Sequence, residues 1–154
     1  MTLSRLTINK DCSDFIFRFL FCSIFVGLGA EHLFSDTLLR ELMPHWVPFP
    51  RAISILCGLW LVGWGSLILL GWHIRWAAQA LAVFLIIVTL AVHAPGILAR
   101  PQEVGASCQS LWDILQRSNL VKNVCLLGVC FHLLHHELGR YSLEFFLAHK
   151  SAPN

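Results

Sequence analysis

Four apolar stretches separated by two loops and one short turn set the pattern of this chain, at roughly residues 14–34, 52–72, 76–95 and 119–137. Each approaches the ~20 residues that a helix rising ~1.5 Å per residue needs to cross ~30 Å of hydrocarbon. The second, AISILCGLWLVGWGSLILLGW, holds no charged residue at any helical phase. It therefore lacks the polar face that an outer helix of a soluble bundle turns to water. The pattern predicts an all-α polytopic integral membrane protein, a four-helix antiparallel bundle forming one domain over residues 1–154. Composition agrees: 56% of residues are hydrophobic and 13% charged, against about 25% charged in a soluble domain.

The polar segments refine the picture. The lead-in MTLSRLTINKDCSD has two basic residues but also Asp11 and Asp14, and the apolar segment after it is long and shows no small-residue cleavage site, so it reads as a retained first span. Arg18 lies one turn into that span and is expected to snorkel back to the interface. Ser23, Gly27 and Ala30 mark a face suited to close helix contact. The loop of residues 35–51 ends in MPHWVPFPR; its prolines oppose a regular helix and its aromatics predict a cap over the bundle mouth. Gly71-Trp72-His73-Ile74-Arg75 is a short turn that makes the second and third spans antiparallel neighbours. His93-Ala94-Pro95 predicts a helix end or kink, with carbonyls left free. Leu111, Trp112 and Leu115 predict a brief helix on the membrane surface.

Four crossings bring Glu31, His32, His93, Lys122 and Asn123 to one face. Ionisable groups at membrane depth are costly unless paired, so Glu31 is expected to pair with Lys122, with His93 bonded to one of them or to Asn123. The cluster reads either as a structural ion pair or as a site for a quinone or lipid headgroup. Trp60 and Trp64, four residues apart, could line such a site or simply fill volume. On the opposite face His132 and His136 have the spacing of two metal ligands, with solvated interfacial histidines as the plainer reading. Haem ligation is a further option, without the CxxCH of covalent attachment. The six cysteines contain no CxxC and read mostly as small packing residues, Cys108 being the one most apt to meet water.

The formal net charge of +2 is small and scattered, which argues against nucleic acid as a partner. Lys and Arg are nearly balanced between the two faces, with a slight excess on the terminal side, so the expectation is cytoplasmic termini.

FRFLFCSIFVGLGAEHLF in the first span, WVPFP before a glycine-bearing second helix, LAVHAPG ending the third, and LVKNVCLLG opening the fourth resemble the DoxX/DoxD-like family of small four-helix bacterial membrane proteins. The resemblance spreads over about Arg18–Leu134 and implies a bacterial inner-membrane location. Relatives include a subunit associated with thiosulfate:quinone oxidoreduction, membrane partners of redox enzymes, and proteins that help other membrane proteins mature. By position, the implied polar residues are Glu31, His32, His93, Lys122 and Asn123. The chain departs from one common pattern at Trp60-Leu61, where many relatives carry an acid, which weakens a proton-transfer role there.

The expectation is an accessory subunit of a redox or respiratory-type membrane complex, not an enzyme by itself, whose candidate partners are lipid, other membrane or redox proteins, and a second copy of itself. A quinone is the first ligand considered, ahead of haem or a metal. The alternatives are a quinone-linked oxidoreductase subunit with a histidine-held cofactor, or a small-solute transporter.

Overall fold

A computed structural model of the chain describes residues 9–35, 37, 43, 46–98 and 108–150. Helix α1 spans Lys10–Phe34, and Asn9 caps its start by accepting the Asp11 N–H at 3.1 Å. Helix α2 spans Pro50–Leu70, opening on a proline whose missing N–H costs nothing at a first turn. It closes on Gly71 in the left-handed region (φ 69°), with Gly71 N–H on the Ile68 carbonyl and Trp72 N–H on the Leu67 carbonyl. That paired closure is the Schellman motif, and it lets α2 turn straight into α3, Ile74–Val88.

Helix α3 does not end or break at His93. It widens into a π-helical turn over Thr89–His93, where the Ala94 N–H reaches back to the Thr89 carbonyl, and continues as α4, Ala94–Leu98. Pro95 has no N–H to give the preceding turn, and the wider turn accommodates its ring without stopping the helix.

Helix α5, Gln109–Leu133, starts ahead of the expected span and stops short of its end at residue 137. Leu111, Trp112 and Leu115 are its first turns, not a separate surface helix. After it the chain runs through an irregular segment into α6, Leu143–Lys150. Of the segment 35–51 expected to cap the bundle, residues 36, 38–42, 44 and 45 lie outside the described residues; within the rest, Trp46 and Phe49 are 68% and 81% exposed.

Among the described residues three helical rods are long and apolar enough to cross a membrane: Lys10–Phe34, Pro50–Leu70 and the continuous Ile74–Leu98. The protein is thus an all-helical, polytopic membrane protein. Helix α1 packs along α2, α2 against α3, and α3 against α5. Phe25, Leu61, Ile68, Leu81, Cys130 and Leu133 fill the centre. Leu20, Leu56, Leu59, Ile87, Leu90 and Val121 point outward, an apolar exterior that suits lipid and would be a liability in water.

The tight contact between α1 and α2 is not at Ser23, Gly27 and Ala30. Ser23 is exposed, and a Cβ on Gly27 would meet nothing within 4 Å. Gly29 and Gly58 carry the contact instead: a Cβ on Gly58 would lie 2.8 Å from the Gly29 carbonyl oxygen, and one on Gly29 would lie 2.9 Å from that of Gly58. Two residues along a helix is about 200° of rotation, so Gly27 and Gly29 face nearly opposite ways.

Candidate functional site

Two polar assemblies sit at opposite ends of the bundle. The first is a seam where the π turn and α4 meet the first half of α5. Trp112 donates its indole N–H to the Gly96 carbonyl at 2.9 Å, His93 Nδ1 and Gln116 Oε1 are 2.8 Å apart, and the Asn123 amide donates to Thr89 Oγ1 at 3.1 Å. Trp112, Gln116 and Asn123 recur at helical spacing along α5, as Gly96, His93 and Thr89 do along the facing rod in reverse order. That is how one face of each of two antiparallel helices meets the other. Gln116 and Asn123 are buried, while His93 is half-buried.

The expected cluster divides. His93 and Asn123 belong to the seam. His32 sits apart, between α1 and α2, with Nδ1 3.0 Å from Ser54 Oγ. Lys122 donates to Asn119 Oδ1, one turn back on its own helix, at 2.9 Å. Glu31 is exposed, and its charge bears on Lys122 through space. Among the described residues no ion pair joins Glu31 to Lys122, which corrects the expected pairing, and His93 takes Gln116 as its partner in place of either charge. Trp60 donates its N–H to the Ala80 carbonyl at 3.3 Å and meets Trp64 edge-on, with ring centroids 5.7 Å apart. Trp60 therefore links α2 to α3 and stands away from the seam.

The second assembly gathers around Arg18 at the end of the bundle where α1 begins. Far from snorkelling outward, Arg18 is fully buried. Its Nε donates to Asp14 Oδ2 at 3.1 Å, one terminal nitrogen to the Leu69 carbonyl at 2.7 Å, and the other to the Tyr141 carbonyl at 2.6 Å. Five N–H groups in a planar fork let one side chain serve three directions at once. The Leu69 carbonyl belongs to the last turn of α2, where the helix dipole favours a cation. The Asp14 carboxylate also accepts from His136 Nε2 and the Gly139 N–H. Ser142, donating to the Gly139 carbonyl, caps α6 by accepting the Phe145 N–H.

His136 is thus bound to Asp14. Its ring lies 5.9 Å, centroid to centroid, from that of the exposed His132. No group of three metal-ligating side chains forms among the described residues. Cys22 and Cys130 are buried, whereas Cys108 and Cys125 are exposed.

Sequence reasoning misses Gln116, and gives Trp112 to a surface helix, because it starts α5 too late; read as helix from Gln109, positions 112, 116 and 123 fall on one face. Thr89 lies within the third span, where a lone hydroxyl in an apolar run does not show its partner. Sequence reasoning also misses the Arg18 assembly although Asp14 and Arg18 stand at the i, i+4 spacing of a helical ion pair.

The DoxX family model matches residues 13–94, which takes in Asp14, Arg18, Gly29, Gly58 and His93. No curated protein and no solved structure matches the chain. Matched over more than half of its length, from the first turn of α1 through the π turn, this multi-pass helical protein belongs to the DoxX family.

Proposed function

We propose that the chain is an accessory membrane subunit of a redox-type complex in the bacterial inner membrane, and that the seam between the π turn and α5 holds the polar head of an apolar-tailed molecule of the quinone class. The observation that carries this reading is the His93–Gln116 hydrogen bond. With Gln116 Oε1 accepting from Nδ1–H, the His93 ring is oriented and its Nε2 is left as an acceptor; among the described residues Nε2 has no partner. Such a nitrogen suits a quinol hydroxyl, because a neutral imidazole accepts a hydrogen bond at one nitrogen while donating from the other. A bound quinone would supply two-electron redox chemistry; the chain itself supplies orientation. Gln116 holds the ring, Trp112 ties down the backbone at Gly96, and Lys122 with Glu31 brings charge to the same end.

Replacing His93 with alanine is expected to weaken binding of a short-chain ubiquinol to the purified protein by about tenfold, the scale of one hydrogen bond of ~1.4 kcal/mol. Tryptophan quenching reads the affinity. Gln116→Leu, which frees the ring without removing it, weakens binding in the same direction. Wild-type protein that fails to bind the quinol, or binding indifferent to both substitutions, defeats the proposal.

The same reading makes α5 the fourth crossing. Its 25 residues match α1 in length, and Trp112, Gln116 and Asn123 spend their polar groups on the seam instead of on lipid. Reporters fused in turn to the two ends of the chain are expected to fall on the same side of the membrane, the cytoplasmic one. Opposite sides would remove the fourth crossing.

A further inference from the structure

A groove of about 550 Å³ lies between the start of α3, the segment after α5, and one face of α6. It is separate from the seam, at the other end of the bundle, where the Gly71–His73 turn joins two of the candidate spans. A main-chain hydrogen bond from Glu144 N–H to the Gly71 carbonyl, 3.2 Å, holds α6 against that turn. Its walls carry both signs of charge: His73 and Arg75 on the α3 side, Glu144 on α6 and Glu137 before it. Trp76, 68% exposed, and Phe145 give it an apolar flank. Among the described residues, Arg75 and Glu144 have no ion-pair partner.

We infer that this groove binds the headgroup of a zwitterionic phospholipid of the phosphatidylethanolamine class. With Glu137 paired to Lys10 at 3.9 Å, a site with a guanidinium on one wall and the Glu144 carboxylate on the other disfavours a purely anionic head, which Glu144 repels, and a purely cationic one, which Arg75 repels. A phosphate beside Arg75 with an ammonium beside Glu144 satisfies both walls. The ammonium brings three N–H donors for carboxylate oxygens, which a trimethylammonium lacks. Tryptophan at headgroup depth favours an amphiphile over a fully soluble ligand.

The test is native mass spectrometry of the full chain in detergent, with phosphatidylethanolamine, phosphatidylglycerol and phosphatidylcholine of identical acyl chains offered in turn. Phosphatidylethanolamine is expected to be retained about fivefold more than either of the others, the scale of one exposed charge contact. Arg75→Gln and Glu144→Gln, both at exposed side chains, should each erase that preference while leaving the melting temperature unchanged. Equal retention of phosphatidylglycerol, or a preference that survives both substitutions, overturns the inference. So does displacement of the lipid by equimolar soluble glycerophosphoethanolamine, since a free phosphoester would then be the better ligand.

Discussion

Arg18→Met will destabilise the protein by about 3–5 kcal/mol, the usual cost of removing one partner from a buried charge pair. The loss has three parts. Asp14 keeps a buried carboxylate without its cation, the Leu69 carbonyl loses its hydrogen bond at the end of α2, and the Tyr141 carbonyl loses the bond that holds the segment before α6. Arg18→Lys should recover only part of the stability, because a single ammonium keeps the charge but cannot reach along three directions with a planar fork. Adding Asp14→Leu to Arg18→Met should restore some of it, since deleting both charges leaves neither stranded. Thermal unfolding in detergent reads the series, and limited proteolysis after Leu134 reports whether the C-terminal segment is released. A melting temperature unchanged by Arg18→Met would falsify this account of the assembly.

Gly58→Ala is the second large effect. Alanine is favoured over glycine inside a helix by up to ~1 kcal/mol, so an unobstructed position gains from the change. At Gly58 the new Cβ falls 2.8 Å from both the Gly29 carbonyl oxygen and Leu33 Cγ. Backbone oxygen cannot move aside without the whole helix, and overpacking of this kind costs about 1–3 kcal/mol. The clash wins, and a net loss of about 1–2 kcal/mol follows. Gly63→Ala is the control: nothing lies within 4 Å of its Cβ position, so the same substitution five residues along should leave the melting temperature level or raise it. Equal effects at the two positions would show that α1 and α2 do not meet at Gly58.

The first of these predictions rests on a residue whose surroundings the sequence conceals, and the second on a contact it shows from one side only, Gly58 being legible as a glycine that permits close approach; the reasons are physical. Hydrophobicity averaged over a span is a strong signal, so α1, α2 and the Ile74–Leu98 rod were legible to within a few residues. Helix α5 was not, because its first turns alternate polar and apolar residues. Among them Gln116 faces another helix, which no single-helix pattern reveals. The contact face of α1 was misplaced because Gly27 and Gly29 are both small, and only the partner helix selects between them. Arg18 was misjudged for a related reason: a cation near a span end snorkels when water is its best acceptor, but here the carbonyls of Leu69 and Tyr141 are nearer. In the candidate site, His93 and Asn123 were legible as polar interruptions of apolar runs. Gln116 was not, since an uncharged residue in what reads as a loop draws no attention.

The π turn at Thr89–His93 has a consequence for how this helix can vary in length. A π turn holds about one residue more than the α turn it replaces. Removing a single residue there would convert the widened turn to regular helix while leaving Ile74–Val88 in register with α2 and Ala94–Leu98 close to its present orientation, with Gly96 still toward Trp112. What changes is the turn itself, where the side chains of Thr89 and His93 would be spaced differently against Asn123 and Gln116. An insertion or deletion at this one turn therefore acts on the seam alone, a place where related chains can diverge in sequence length and in what they hold without repacking the helices around it.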